Sequence, residues 1–414
     1  MPRKKTTDYD NTSITTLKGA DRVRKRPAVI FGSDGIDGCQ HSVFEILSNS
    51  IDEAREGYGK KITVTRYSDG SIEVEDHGRG IPVDYNENEK RYNWELVFCE
   101  LYAGGKYNNN EGESYEFSLG MNGLGLCSTQ YSSEYMDVDI RRDGYRYTLR
   151  FEKGEIVGKL KKEPYSKKDT GTKIHWKPDL EVFTDIDIQP EYFLDIMKRQ
   201  AIVNAGIEFV FRNQNGKSFD TTSYNYVNGI VDHVAEVVGE NGLSSIQHWE
   251  TEVKTRDRDD KPEYKCKMDI SVAFSNKVHL TEYYHNSSWL EHGGAPDKAV
   301  RNAFVYQIDS ILAYSIKEKA YACAVKLLAV KKNEIENKVD IVKSSNGFTV
   351  KCSVSGGDMD LMKLDVYAPE MEQALILKKN FLDNPKKAYK IMLALLTKDK
   401  ETVGEALEEL YGIV

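Results

Sequence analysis

Residues 43–54, Val-Phe-Glu-Ile-Leu-Ser-Asn-Ser-Ile-Asp-Glu-Ala, set the architecture of the chain. On a helix, Val43, Phe44, Ile46, Leu47, Ile51 and Ala54 fill one broad arc, the core face of an amphipathic element. Glu45, Asn49 and Asp52 fall at i, i+4 and i+7 and form a stripe opposite that arc. Asparagine is a poor helix former, so its place between two carboxylates has two readings. One is a solvated face; the other is a row of oxygen ligands turned into a site. An isolated stretch favours the first, and the surrounding chain must decide.

Beyond this helix, expected over 39–57, Lys61–Tyr67 alternates like a strand. Asp69-Gly70 then turns the chain into Ser71–Glu75, giving a hairpin. Further strands are expected at 135–153 and 171–177, a short helix at 18–25, a helix at 190–203 and a strand at 207–212. The pattern lapses around Thr221–Asn225, where a domain boundary is expected. A second unit follows, with a helix at 227–238, strands at 244–254, 264–275 and 278–286, and a long helical pattern from Asp297 towards Val342. Strand character returns at 348–367 and helical character at 369–412. The predicted organisation is an arm over 1–15, a first domain over 16–225, a second over 226–345 and an extension over 346–414. Helices covering a mixed sheet give an α+β class.

The 414 residues carry a net charge of −9, so any nucleic-acid contact must come from local patches such as Arg22–Arg26. The six cysteines show no CxxC and no Cys/His metal spacing. They read as reduced thiols of a cytoplasmic protein. No apolar run approaches membrane-spanning length, and residues 1–13 lack a hydrophobic signal segment.

Three glycine-bearing segments follow the opening helix. In Asp76-His77-Gly78-Arg79-Gly80-Ile81-Pro82, two glycines allow close backbone approach to a flat ligand, and Asp76 can accept a hydrogen bond. A plain turn would explain that segment equally well. Ala103-Gly104-Gly105-Lys106 is a glycine hinge ending in a cation suited to phosphate. Leu119-Gly120-Met121-Asn122-Gly123-Leu124-Gly125-Leu126 should open a helix whose N–H groups cradle phosphate. None of the three matches the Walker A or Rossmann patterns.

The order of these four segments resembles the four-part ATP site of the GHKL (Bergerat-type) family. One branch is much nearer. Leu17–Pro27, Val43-Phe44-Glu45, Asn49–Ala54, Gly78–Pro82, Ala103–Lys106, Thr170-Gly171-Thr172 and Glu291–Gly294 are similar to the B subunit of type IIA topoisomerases, DNA gyrase or topoisomerase IV. The likeness is strong over about 9–230 and weaker to about 310.

That resemblance implies a GHKL ATPase domain followed by a smaller α+β transducer domain. It implies Glu45 as the general base for the water attacking the γ-phosphate, with His41 one turn earlier to orient and tune it. Asn49 would give an oxygen to Mg²⁺. Asp76 would accept from the adenine amino group with Thr172 in support, beside Gly78, Gly80 and Ile81. Arg79 and Glu53 would pair at the rim. Lys106, Tyr115 and the backbone of Gly120, Met121, Asn122, Gly123, Leu124 and Gly125 would hold the phosphates. Tyr9 and Ile14 would reach the nucleotide site of a second copy of the chain. Double-stranded DNA and the breakage-reunion A subunit are the implied further partners.

The chain departs from that pattern in places. Leu119 and Asn122 stand where a glycine and a histidine are usual, and His77 where an aspartate is common. No Gln-Thr-Lys occurs anywhere; Lys343 and Lys351 are candidate replacements, although each by itself reads better as an ordinary surface lysine. No EGDSA-like signature of the cleavage domain is present. The chain therefore reads as a fragment of a longer B subunit or a stand-alone relative with an altered end. Two other functions stay open: a GHKL ATPase serving a different process, and a nucleotide-dependent dimerisation module that hydrolyses little.

Overall fold

The computed structural model describes residues 15–104, 118–120, 123–256 and 258–307, with the backbone alone at 340–344, 347–352 and 362–366. Two compact units divide the chain. The first comprises Met1–His233, Glu250–Met268 and Tyr284–Ser288, and the second comprises Val234–Trp249, Asp269–Tyr283 and Trp289–Val414.

The first unit opens with two short helices, α1 (Asp21–Arg24) and α2 (Pro27–Phe31), and the long α3 (Ile36–Arg55). A hairpin of β1 (Lys61–Arg66) and β2 (Ile72–Asp76) comes next. The small ribbon of β3 (Tyr85–Asn86) and β4 (Arg91–Tyr92) then leads into α4 (Asn93–Cys99), and α5 (Gly125–Tyr131) follows. The chain returns to the sheet through β5 (Ser133–Arg142), β6 (Tyr145–Glu152), β7 (Glu155–Ile156), β8 (Lys161–Pro164) and β9 (Gly171–Pro178). Helix α6 (Pro190–Val203) precedes β10 (Glu208–Asn215) and β11 (Ser218–Tyr224).

Nine of these strands form one sheet in the order β11-β10-β1-β2-β9-β5-β6-β7, with β8 also paired to β6. β1 and β10 run parallel and the other neighbours antiparallel, so the sheet is mixed. Period-two alternation makes it one-sided. Ile62, Val64, Ile72, Val74, Met136, Val138, Ile140, Leu149, Phe151, Ile174, Trp176, Phe209 and Phe211 are all buried. They form the core with Val43, Ile46, Leu47 and Ile51 of α3 and with Phe193 and Met197 of α6. Phe193 stacks on Phe211 at 5.1 Å between centroids. The intervening strand positions carry charge, and Arg141 pairs with Glu75 at 2.8 Å and Arg150 with Asp137 at 2.8 Å.

The long helix, the first hairpin and the 190–203 helix lie where the sequence places them. Residues 221–224 do not lapse: they complete β11, the edge strand of the sheet, through pairs such as Arg212↔Thr221 and Phe209↔Tyr224. Its polar residues conceal a strand because an edge strand needs only one ladder and little burial.

In the second unit, Leu243 donates to the Phe274 carbonyl at 2.7 Å and Phe274 N–H to Ser244 Oγ at 2.9 Å. The expected strand at 278–286 is reduced to Tyr284–His285. The long helical pattern is helix at 294–307. It cannot reach Val342, because Asp340–Ser344 is a strand paired with Gly347–Cys352, which in turn pairs with Met362–Val366. Ile341 and Val342 are β-branched and have ladder partners, and pairing overrides a helical periodicity. The 369–412 pattern, Lys343, Lys351 and the arm lie outside the described side chains. No described helix is long and apolar enough to cross a membrane.

Candidate nucleotide site

Helix α3 brings two of the three stripe residues together as expected. The Glu45 carboxylate is half-buried and its Oε1 lies 3.0 Å from His41 Nε2, one turn away. That bond, against the opposing pull of burial, raises the His41 pKa above its ordinary value. Asn49 donates its Nδ2 to the Glu45 carbonyl at 2.8 Å. With the nitrogen so engaged, the orientation of the amide is fixed, and Oδ1 is the end that can present an oxygen to a hard cation. The asparagine thus holds its amide in one orientation against the preceding turn of its own helix.

Asp52 behaves otherwise. It is 2% exposed and does not join a row of ligands. Its carboxylate accepts from Ser118 Oγ at 2.7 Å, Leu119 N–H at 2.8 Å and Gly120 N–H at 3.2 Å. The Gly120 N–H, which the resemblance gives to phosphate, is thus engaged by Asp52 here. Further along the same segment, Gly123 accepts from Tyr102 N–H at 2.9 Å and α5 starts at Gly125. A Cβ built on Gly125 would run into the Glu45 side chain, colliding with Oε2 and lying 2.9 Å from Cδ. The glycine therefore makes room for the carboxylate beside the start of α5.

Asp76 ends β2 and is buried. Its Oδ1 accepts from Gly78 N–H at 3.0 Å and Thr172 N–H at 3.1 Å, and its Oδ2 from Ser50 Oγ at 3.0 Å. Burial raises its pKa, while these three donors act to lower it. Thr172 supports Asp76 as expected, and its Oγ1 also accepts from Ile81 N–H at 3.2 Å. Gly171 allows this approach: at φ +145° it faces the Asp76 carbonyl, and a Cβ would lie 3.0 Å from that carbonyl carbon. Ser50 and Gly171 lie within the quoted motifs, but their contacts with Asp76 escape a reading of the sequence. Ser50 looks like one more small residue of the helix, and only the packing of α3 on β2 shows its bond.

At the rim, Arg79 and Glu53 form a two-pronged pair, Nε–Oε1 at 2.8 Å and Nη2–Oε2 at 2.9 Å, and Arg79 N–H adds a third bond at 2.8 Å. The guanidinium lies 3.8 Å over the Tyr58 ring. The Gly80 carbonyl accepts from Arg142 Nη1 at 2.8 Å. His77 is exposed. In the basic run, Arg24 is committed internally to Asp179 at 2.6 Å and to the Tyr131 carbonyl at 3.1 Å. Lys106, Tyr115, Met121, Asn122, Tyr9 and Ile14 lie outside the described residues.

A helix carrying His41, Glu45 and Asn49, a buried aspartate at the end of the next hairpin and a glycine segment opening a helix define a class. Residues 35–182 match the family described as histidine kinase-, DNA gyrase B- and HSP90-like ATPases, so the chain carries an ATPase domain of the GHKL family. Its curated relatives include the B subunit of DNA gyrase from Thermotoga maritima, 35% identical over 280 residues covering 65% of this chain and 42% of that protein. The B subunit of DNA topoisomerase 4 from Enterococcus faecalis is 35% identical over 236 residues, covering 57% of this chain and 34% of that protein. A crystal structure of the 43K ATPase domain of Thermus thermophilus gyrase B is 28% identical. It covers 56% of this chain and 58% of that one at a TM-score of 0.47. Residues 299–396 match a domain of unknown function (DUF4364). The chain spans less than half the length of these two curated relatives.

Asp76→Asn is expected to weaken binding of a non-hydrolysable ATP analogue by ~1.5–3 kcal/mol, the worth of a hydrogen bond to a charged group. An amide offers one acceptor oxygen where Asp76 now serves three donors. Calorimetry reads the change, and an unaltered affinity would place the base of the nucleotide elsewhere.

Proposed function

We propose that the chain binds and hydrolyses ATP as the clamp of a type IIA DNA topoisomerase in the cytoplasm, nucleotide binding drawing two copies together around a DNA segment. The observation that carries this reading is Glu45, paired with His41 and seated against Gly125 at the start of α5, on the helix that also presents Asn49. A water between that carboxylate and the γ-phosphate would lose a proton to Glu45 as its oxygen bonds to phosphorus, while the bond from phosphorus to the bridging oxygen breaks and ADP leaves with that oxygen. Asp76 would select the base by accepting from an exocyclic amino group. The backbone around Gly123–Gly125, with Lys106 and Tyr115, would hold the phosphates.

The Asn49 amide suits Mg²⁺: its oxygen is oriented by the Nδ2 bond, and Mg²⁺ typically takes only one or two protein oxygens beside those of water and phosphate. Bound there, Mg²⁺ would neutralise phosphate charge. Double-stranded DNA, a second copy of the chain and a breakage-reunion A subunit are the partners of this reading. Steady-state ATP turnover with and without DNA tests it. Turnover that DNA stimulates is expected, and a chain that binds no nucleotide would overturn it.

The arm belongs to the same reading, with Tyr9 and Ile14 as its apolar anchors on the second copy. Deleting residues 1–15 should leave analogue binding within a few-fold while abolishing the analogue-dependent dimer. Light scattering decides this, and a dimer that still forms would exclude the arm as the clasp.

A further inference from the structure

The third residue of the opening stripe supplies none of the functions above, and its placement needs an explanation. Asp52 is buried at 2% exposure, two turns beyond Glu45 and within one turn of Asn49. Its carboxylate gathers three donors from one short segment: Ser118 Oγ at 2.7 Å, Leu119 N–H at 2.8 Å and Gly120 N–H at 3.2 Å. Ser118 is itself buried at 3%. Two consecutive backbone N–H groups and a hydroxyl converging on one buried carboxylate fix the segment's position and direction, because charge-assisted bonds of this kind are short and strong. Five residues later the same segment enters α5 at Gly125, against the Glu45 side chain. Residues 118–120 are therefore fastened to α3 at Asp52, and Gly125 is closely packed on the same helix at Glu45.

We propose that Asp52 is a positioning residue for the nucleotide site: it mounts the glycine segment on the helix that carries Glu45 and Asn49, so that phosphate cradle and base are held as one body. The proposal rests on the nucleotide reading for its kinetic consequence, but not for the anchor itself. A preorganised segment adds to affinity because less ordering is left to be done on binding. Loosening it should therefore appear mainly in binding, since bound nucleotide restores the segment before turnover. In Asp52→Asn the amide nitrogen would face a backbone N–H or the hydroxyl, and at least one donor would lose its acceptor.

The test uses the full chain and two readouts. Hydrogen exchange without nucleotide should show the Leu119 and Gly120 amides protected, and at least tenfold faster in Asp52→Asn, while amides of β1 and β2 keep their rates. Affinity for a non-hydrolysable ATP analogue should fall at least tenfold in Asp52→Asn, with kcat at saturating ATP lowered by no more than a few-fold. Ser118→Ala, which leaves the carboxylate and both backbone bonds in place, should show a smaller change of the same kind.

Leu119 and Gly120 amides that exchange like open loop in the unsubstituted chain would overturn the anchor, even if Asp52→Asn fails to fold. A variant with full affinity but abolished kcat would overturn the positioning role, because the carboxylate would then act in the chemical step. If the unsubstituted chain binds no nucleotide, the functional reading fails while the exchange result still decides the anchor.

Discussion

Glu45→Gln is expected to bind an ATP analogue with nearly full affinity and to lose turnover by ~10²–10⁴-fold, the usual worth of general-base help. Glutamine keeps the length and the hydrogen bonding of the side chain, so His41 retains a partner and Gly125 still meets a group of the same size. What is lost is the ability to take a proton from water. The His41–Glu45 bond raises the His41 pKa, so the imidazole holds its proton to higher pH than an isolated histidine. As pH falls through that raised value, His41 becomes an imidazolium whose Nε2–H donates to the Glu45 oxygen that would otherwise accept from water. Turnover of the unsubstituted chain should fall with it. Rapid-quench measurement of a single turnover checks the substitution, and a rate near that of the unsubstituted protein would remove Glu45 from the role.

Gly125→Ala is expected to keep the fold and lower kcat by ~10²-fold, the scale of an ångström-sized misplacement of a reacting group. An alanine Cβ would collide with Glu45 Oε2 and lie within 3.0 Å of both its Cδ and Cβ. The obstacle is a side chain, so the carboxylate swings aside and α5 stays. Gly125 is the first residue of α5, where alanine is accommodated without strain in the helix, and thermal unfolding should show no loss of stability. Loss of activity without loss of Tm would identify the displaced base. Full activity would mean that Glu45 acts from another position.

Much of the site is legible along the chain because its parts are local. Glu45 and Asn49 come from one helix, and the turn spacing that aligns them also forms the Nδ2 bond that orients the asparagine. Asp76, Gly78 and Gly80 fall within five residues of one strand end. Glu53 and Arg79 are paired by resemblance across 26 positions, and their bonding is geometrically complete. Harder to read are residues whose role depends on what packs beside them. Ser50 bonds Asp76 because α3 lies on β2, and Gly171 is needed because β9 reaches the end of β2. Thr221–Tyr224 reads as a boundary because an edge strand leaves little hydrophobic signature.

Asp52 separates the two kinds of information most clearly. Periodicity and residue chemistry suffice to establish that a helix runs through 43–54, that its apolar arc enters a core and that three oxygen-bearing residues share the other side. They do not distinguish among those three. It takes the packed chain to show that the first meets His41 and Gly125 and the second bonds its own helix, while the third holds a segment distant in sequence. A carboxylate accepts equally from a water, a cation or a backbone N–H. Which of these it meets depends on the strand and loop folded against it, and here Ser118, Leu119 and Gly120 arrive from 66 to 68 positions away.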